Sequence, residues 1–317
     1  MDRREEFLDT LAAALATGRR GGHFNCMLWL PKVMAYLCAE ALVAGIETEY
    51  VERLIKKRGL LPGSPDVASW PWPVKIYTLG RFSLVIDDVP VAFARKAPKK
   101  PIALLKFIVA AGDRPVPITR ALDALWPDEE GDAAQKSFQI TLHRLRKLLQ
   151  HADALQLQQG RLSLNAALCW VDSWAFERLA VYATAAPDSP HEDAKEAPAR
   201  ALALYDGNFL SDDLEEPWTL SLRERLRARY IRLVGLQASR LIENGDLEAA
   251  IDSTSEVSQP TILPKSSTSA SCAATSSSLR PAEALAVYHR LRRTLAITLG
   301  VPPSPATEAL FRALQEH

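Results

Sequence analysis

The spacing of apolar residues changes several times along the chain, and each change predicts a different kind of element. In residues 1–60 the apolar positions recur with a helical period, as in the series Phe7, Leu8, Leu11 and Leu15. Further helical segments are predicted at 27–44 and at 47–58, the latter ending at Gly59. The stretch LPGSPDVASWPWP then places four prolines in thirteen residues. We therefore predict a helical segment at 1–61 and a linker at 62–73.

After the linker the apolar period falls from about 3.6 residues to about 2, the period of a strand. VKIYTLG and RFSLVID alternate and VPVAF follows, which predicts three short strands from Val74 onward. Helical spacing returns in three segments, at 101–112, 118–126 and 133–150. The next segment, QLQQGRLSLN, alternates on both sides of Gln159-Gly160, which indicates a hairpin. The predicted order is strands, three helices and a hairpin.

From Ser173 to the end the pattern is almost wholly helical. The predicted helices are 173–184, 196–205, 217–243, 247–252, 281–299 and 306–315. The segments GDLEAAID and RPAEALAVY are similar to each other and begin 35 residues apart, at Gly245 and Arg280. This spacing is close to the period of about 34 residues that is typical of tetratricopeptide helix pairs.

The charge of the chain balances overall but is sorted by segment. The sequence has 38 basic and 38 acidic residues, so the total indicates no polyanionic partner. Between Phe93 and Lys106, however, there are five basic residues and no acid. Five more basic residues lie between Ala133 and Arg161, where Asp153 is the one acid. The basic segments coincide with the first and third predicted helices after the strands.

The third of these helices carries the main functional prediction. Phe138, Leu142, Leu145 and Leu149 fall on one stripe that faces a core. The opposite face is formed by Lys136, Gln139, Ile140, His143, Lys147 and Gln150, with Arg144 and Arg146 at its edges. Lysine and arginine suit phosphates or guanine, glutamine suits adenine, and isoleucine suits a thymine methyl group. The alternative is a solvated basic face without a ligand.

The order of elements and two motifs resemble a known family. TLHRLRKLL (141–149) is similar to the recognition helix of OmpR/PhoB-type winged helices, and VKIYTLGRFSLVIDDVPV (74–91) to the variant in SARP-type activators. The resemblance implies a winged helix-turn-helix over 74–172 that binds double-stranded DNA. The implied contact residues in the third helix are Lys136, Gln139, Ile140, His143, Arg144, Arg146 and Lys147. Arg161 would act from the wing, and Lys99 and Lys100 would lie near the DNA backbone.

The segment after the winged helix extends this resemblance. CWVDSWAFERLA, ALALYDGNFLSDD and PWTLSLRERLRARYIRLV are similar to the bacterial transcriptional activator domain of SARP-type regulators. The fold class implied is mainly α with a small α+β winged helix, followed by a helical, tetratricopeptide-like domain at 173–317. The resemblance also implies contacts with RNA polymerase and a possible homodimer. The helices at 1–61 resemble the tail of a helical-repeat region, so the chain looks like the C-terminal part of a larger regulator.

Other function classes find little support in the residues. No apolar run approaches the ~18–20 residues of a membrane helix, and the N-terminus has no signal-peptide core, so we expect a cytoplasmic protein. The cysteines (Cys26, Cys38, Cys169 and Cys272) are scattered and predict buried thiols rather than disulfides or a metal site. No catalytic or nucleotide-binding motif occurs, so we expect no enzyme and no cofactor. The alternative function is a helical-repeat scaffold that binds another protein.

Residues 253–279, STSEVSQPTILPKSSTSASCAATSSSL, conflict with their helical surroundings because they are rich in serine and threonine and contain Pro260 and Pro264. A native linker is one explanation. The other is a pair of compensating frameshifts or sequencing errors. Reading the codons one base earlier permits LYKRGLAADDLAEEFYQRLMRCYQQLG, which has the same length and a helical period.

The nucleotide sequence decides between these explanations. We expect its codons, read in the shifted frame, to give an apolar-periodic peptide without a stop, and codons that cannot do so would exclude the frameshift. As printed, the segment lacks an apolar stripe, so we expect it to be irregular or poorly packed. Strong hydrogen-exchange protection across 253–279 would contradict that expectation.

Overall fold

The structure is a computed structural model that describes residues 3–25, 29–63, 67–93, 98–185 and 192–243. Within these ranges the chain is mainly helical and contains two small sheets. The helices are α1 Arg3–Gly21, α2 Pro31–Val43, α3 Thr48–Arg58, α4 Lys99–Ala111, α5 Ile118–Leu125, α6 Gly131–Leu149, α7 Asp172–Ala185, α8 Glu192–Leu204 and α9 Pro217–Glu243. The strands are β1 Val74–Tyr77, β2 Ser83–Ile86, β3 Val89–Pro90, β4 Val116–Pro117, β5 Leu155–Gln158, β6 Arg161–Leu164 and β7 Cys169–Val171.

The first three helices confirm the helical reading of the N-terminal segment. Pro31 begins α2, where its missing N–H costs no hydrogen bond. Gly59 ends α3 in the left-handed region at φ 57°, and its N–H bonds back to Lys56 O. Leu11 and Leu15 of α1 are buried, as the spacing predicts. The three helices pack on one another and bury an apolar core of their own.

The proline-rich segment at 62–73 contains no helix or strand in its described part, yet it does not run freely over the surface. Trp70 and Trp72 are 3% and 1% exposed. The indole Nε1 of Trp72 donates a hydrogen bond of 2.9 Å to Val67 O. The tryptophans therefore fix the connection in place by burying aromatic area.

The first sheet has the strand order β3-β2-β1-β7. β1 and β2 pair antiparallel, with Val74 opposite Ile86 and Ile76 opposite Leu84. β3 is shorter than the predicted VPVAF strand and comprises Val89–Pro90. β7 lies parallel to β1 on its other side and has no counterpart in the sequence prediction. All its residues are buried, so it lacks the alternation that would have indicated a strand.

The three helices after the first sheet and the hairpin that follows them form a winged helix-turn-helix. α4 and α6 pack closely and bury Leu104, Ile108, Phe138 and Leu145. The hairpin of β5 and β6 forms the wing and is joined by β4, in the order β4-β6-β5. β4 was not predicted from the sequence, because two residues carry no periodicity. The winged helix expected from the order of elements is confirmed in the described residues.

The contacts divide the chain into two compact units, Met1–Tyr77 with Ser83–Ala175, and Thr78–Phe82 with Phe176–His317. In the second unit, the Tyr205 ring stacks on Tyr230 at 4.1 Å between centroids and lies 5.2 Å from Phe176. Burial raises the pKa of the Tyr205 phenol well above its usual value, and Tyr230 raises it further. The predicted helices beyond residue 243, and the segment 253–279, lie outside the described residues.

The turn between β1 and β2 belongs to the second unit. Within that unit it pairs with the loop that precedes α9. Leu79 and Phe209 form an antiparallel bridge. Gly80 N donates to Asn208 O at 3.0 Å, and Ser211 N donates to Gly80 O at 3.1 Å. Gly80 has φ 96°, and a Cβ built there would lie 3.4 Å from Asp206 O. A glycine is therefore favoured at this position, because residues with a side chain rarely adopt this positive φ.

Arg223 of α9 holds the same loop from the inside. Its side chain is buried, at 7% exposed for the residue. Its guanidinium donates to Phe209 O at 3.0 Å, to Asp213 O at 3.1 Å and to Thr219 Oγ1 at 2.7 Å. The first of these bonds gives the buried residue Phe209 a donor for its carbonyl, and the other two bind Arg223 to Asp213 O and to the Thr219 hydroxyl.

We expect Arg223→Ala to lower the free energy of unfolding by about 2–4 kcal/mol, because the substitution leaves buried acceptors unpaired. Arg232→Ala on the same helix is the matched control, since Arg232 is exposed and its loss is expected to change stability by less than about 0.5 kcal/mol. Urea denaturation followed by circular dichroism measures both. Equal stability of the two variants would contradict the role of Arg223 in holding the loop.

Candidate nucleic-acid interface

The inner face of α6 anchors the helix in the core of the winged helix. Phe138, Leu142, Leu145 and Leu149 are each at most 1% exposed, which confirms the stripe read from the sequence. The Phe138 ring meets Trp126 edge-on, with centroids 6.3 Å apart and an interplanar angle of 83°. This packing fixes the rotation of α6 about its own axis, and with it the residues that face outward.

The outer face of α6 is exposed along most of its length. The exposed residues predicted to contact DNA are Lys136, Gln139, Ile140, His143, Arg144 and Lys147. Ile140 is 45% exposed, which is unusual for a large apolar side chain in a helix that otherwise buries its apolar residues. The structure thus brings six of the ten predicted residues together on one solvent-facing surface, here called the α6 outer face.

The cations of the α6 outer face are not neutralised within the protein. In the described ranges, Lys136, Arg144 and Lys147 form no ion pair with a carboxylate. The acids of the helix itself lie at its start, where Glu130 is the N-cap residue and Asp132 is in the first turn. Acids at that end interact favourably with the helix dipole. The positive charge therefore accumulates toward the C-terminal half of α6.

Arg146 differs from the other predicted residues of α6. It is half-buried, and its Nε is buried without a hydrogen-bond partner among the described residues. The helical angle predicts Arg146 at an edge of the outer face. In the structure, its side chain as far as Nε lies between that face and the core. The helical angle alone could not predict the burial of Arg146, because that burial depends on the residues that pack beside the helix.

The two lysines that begin α4 have different surroundings. Lys99 is exposed. The Nζ of Lys100 donates a hydrogen bond to Leu125 O at the end of α5 and lies 5.2 Å from the centroid of the Trp126 ring. Lys100 thus connects the start of α4 to the end of α5, and no sequence pattern predicts this contact between distant residues.

The wing places Arg161 beside its tip. Gln159 and Gly160 form the turn with φ 50° and 71°, the left-handed pair that a two-residue hairpin requires. Arg161 is exposed, and its Nη1 donates to Pro115 O at 3.3 Å. Ile118 N donates to Gly160 O at 3.0 Å, so the turn at the tip of the wing is bonded to the start of α5. The wing is therefore held at a fixed position relative to the helices.

Sequence reasoning overlooked the glutamines of the wing. Gln156, Gln158 and Gln159 are all exposed beside Arg161. Their amides can donate to and accept from base edges or phosphates. The run QLQQGR contains all three glutamines, but only its alternation was interpreted, as evidence for the hairpin.

The end of α6 is joined to the first sheet by a hydrogen bond between His151 and Asp87. His151, two residues beyond the last residue of α6, places its Nε2 3.0 Å from Asp87 Oδ2. Asp87 lies in the turn between β2 and β3 with φ 47°. The adjacent Asp88 accepts a hydrogen bond of 2.9 Å from Lys75 Nζ and lies 3.7 Å from Lys56 Nζ of α3. Although burial opposes it, the bond and charge of Lys75 help to lower the pKa of the Asp88 carboxyl.

The described residues offer little to metals or membranes. No group of three or more His, Cys, Asp or Glu side chains among them could hold a metal ion. Of the helices that the structure describes, none combines the length and hydropathy needed to cross a bilayer.

The buried cysteines are unreactive by position. Cys38 is 0% and Cys169 4% exposed, and burial raises the pKa of each thiol to about 12. We expect both to resist iodoacetamide in native buffer at about pH 8 and to react once the chain is unfolded, because only the thiolate is nucleophilic. Peptide mass spectrometry after labelling measures this. Native labelling at the rate of a free cysteine would contradict the burial.

The first similarity to known proteins concerns the C-terminal part of the chain. Residues 171–315 match the family described as the bacterial transcriptional activator domain. The regulatory protein AfsR of Streptomyces coelicolor is 28% identical over 211 residues, which are 66% of this chain and 21% of that protein. AfsR of Streptomyces griseus is 27% identical over 204 residues, or 64% of this chain and 21% of that protein. The match thus spans about a fifth of each curated relative.

A solved structure of Mycobacterium tuberculosis EmbR in complex with a low affinity phosphopeptide is also similar. Its TM-score is 0.44 at 20% identity, over 77% of this chain and 65% of that chain. Residues 171–315 are thus similar to the bacterial transcriptional activator domain, and the matches confirm the resemblance of the chain to SARP-type transcriptional regulators.

Proposed function

We propose that the chain is a transcriptional activator that binds double-stranded DNA through the winged helix at 74–172. The observation that carries the proposal is the α6 outer face, where three cations without ion-pair partners flank exposed Gln139 and Ile140. Cations clustered on one exposed helix face raise the local positive potential, which attracts a polyanion such as DNA.

The dimensions of the site suit a duplex. A helix of 19 residues is about 28 Å long, and the major groove, about 12 Å wide, admits it. Arg144 can bind guanine with two hydrogen bonds, Gln139 can bind adenine, and Ile140 can contact a thymine methyl group. Lys136, Lys147, Lys99 and the wing residue Arg161 supply phosphate contacts. Lys100 is bonded to Leu125 O and Arg146 is half-buried, so these two residues contribute less directly to DNA binding.

The activator domain and the cellular setting complete the proposal. The domain at 171–315 supports a role in transcription, with RNA polymerase as the partner, and a homodimer on repeated half-sites would match the symmetry of many operators. The location is the cytoplasm. The chief alternative is a helical-repeat scaffold that binds another protein and has lost DNA recognition.

Fluorescence anisotropy with a duplex selected from a random pool tests the proposal. If Lys99, Lys136, Lys147 and Arg161 each contact a phosphate, the slope of log K against log salt is about −3 to −4. Affinity then falls about 100-fold between about 50 mM and about 200 mM salt. A folded protein that binds no duplex at the lower concentration would favour the scaffold.

A further inference from the structure

We propose that the end of α3 forms a second DNA contact, which binds phosphates of the duplex that flanks the segment held by α6. This inference rests on the proposed function. The contact surface, here called the α3 cation patch, consists of Lys56, Lys57 and Arg58, the last three residues of α3. All three are exposed.

The α3 cation patch carries charge that the described residues do not neutralise. Lys56 approaches Asp88 at 3.7 Å, but that carboxylate is already bonded to Lys75 at 2.9 Å. Lys57 and Arg58 form no ion pair in the described ranges. Cations at a helix C-terminus stabilise the helix dipole, which explains their position. The dipole does not explain why they lack carboxylate partners.

Two aromatic rings hold the cations in place without discharging them. Lys57 Nζ lies 4.1 Å from the centroid of the Phe24 ring, and the Arg58 guanidinium lies 4.4 Å from the centroid of the Trp29 ring. A cation–π contact orders a side chain but leaves its net charge intact. The patch is therefore partly ordered before any partner arrives, which lowers the entropy lost on binding.

A short series of contacts places the patch beside the C-terminal end of α6. Lys56 contacts Asp88 in the turn between β2 and β3, and the preceding residue, Asp87, is paired with His151. His151 lies four residues beyond Lys147 in the sequence, just after α6 ends at Leu149. All of these residues belong to the same compact unit. DNA that reaches Lys147 thus continues toward the patch.

The positive charge of the α3 cation patch, and its position next to the α6 outer face, favour the DNA backbone as its partner. A duplex carries a negative charge about every 1.7 Å along its axis, so a patch next to one contact meets further phosphates. The patch has no exposed amide or apolar side chain comparable to Gln139 or Ile140. Its contribution should therefore be independent of base sequence and should lengthen the footprint on one side.

The test uses the full chain with Lys57→Gln and Arg58→Gln, singly and together. Gln keeps much of each stem and removes the charge, and Lys32→Gln on α2, also exposed, is the matched control. We expect the double variant to reduce the salt slope by about 2 and the affinity by about tenfold or more, while Lys32→Gln changes neither. Thermal unfolding of each variant establishes that it is folded.

A second measurement needs no substitution. Trimming the duplex on the side that faces the patch should weaken binding by the wild-type chain, whereas trimming the other side by the same length should not. If wild type binds DNA but the double variant keeps its slope, or trimming either side has the same effect, the patch is no DNA contact, and the proposed function stands. If wild type binds no duplex, the proposed function fails first. An acidic protein captured by the patch without any change in DNA binding would also overturn the inference.

Discussion

Replacement of Arg144 and Lys147 by alanine together is expected to lower the affinity for the cognate duplex by about 100-fold. Arg144 can bind guanine with two hydrogen bonds, and loss of such a pair costs about 1–3 kcal/mol. Lys147 can bind a phosphate, and its loss reduces the salt slope by about 0.9. Both side chains are exposed, so the fold should not change. Anisotropy titration at several salt concentrations measures the affinity and the slope.

Arg144→Lys separates charge from geometry. It keeps the positive charge but loses the planar fork that binds two acceptors, so the salt slope should stay near wild type while discrimination against the mismatched base falls. Lys32→Gln serves again as the distant control. If the double alanine variant binds as tightly as wild type, the α6 outer face is not the binding surface.

Phe138→Ala is expected to lower the free energy of unfolding of the winged helix by about 3–5 kcal/mol. The ring is fully buried and makes an edge-on contact with Trp126, so its removal leaves a cavity in the core between α4, α5 and α6. Ile140→Ala, two residues further along the same helix but 45% exposed, is the matched control. Its stability should change by less than about 0.5 kcal/mol.

Calorimetry or urea denaturation of the two variants distinguishes the faces of α6. A large loss of stability in both would mean that the outer face is packed against protein in solution. A small loss in both would mean that the inner stripe is not the core that the structure describes. In either case α6 could not present the surface on which the proposed function depends.

The elements that carry a strong period could be predicted from the sequence. The apolar stripe of α6 gave both the helix and the direction of its outer face, because packing must bury Phe138 and the leucines that follow it. The Gln159-Gly160 pair gave the wing, because few residue pairs adopt the left-handed conformations of a tight hairpin. Helix bounds shifted by a few residues, as at α8, which begins at Glu192 rather than at residue 196.

Contacts between distant segments could not be predicted in this way. β7 pairs with β1 across the whole winged helix, and β4 pairs with the wing, but neither has an alternating pattern of its own. Lys100 had the same appearance in the sequence as Lys99, yet it is bonded to Leu125 O. The segment at 62–73 had the composition of a linker, and the burial of Trp70 and Trp72 depends on surfaces supplied by other elements.

The most direct test is a crosslink from the centre of the α6 outer face. A photoreactive amino acid in place of Ile140, irradiated with a labelled duplex, should attach the protein to DNA. The same group in place of Val181, which is 47% exposed on α7, should not. Attachment at 140 alone is the result that the account predicts. Duplex that is bound, yet crosslinks at neither position or equally at both, would contradict the claim that this face of α6 lies in the groove.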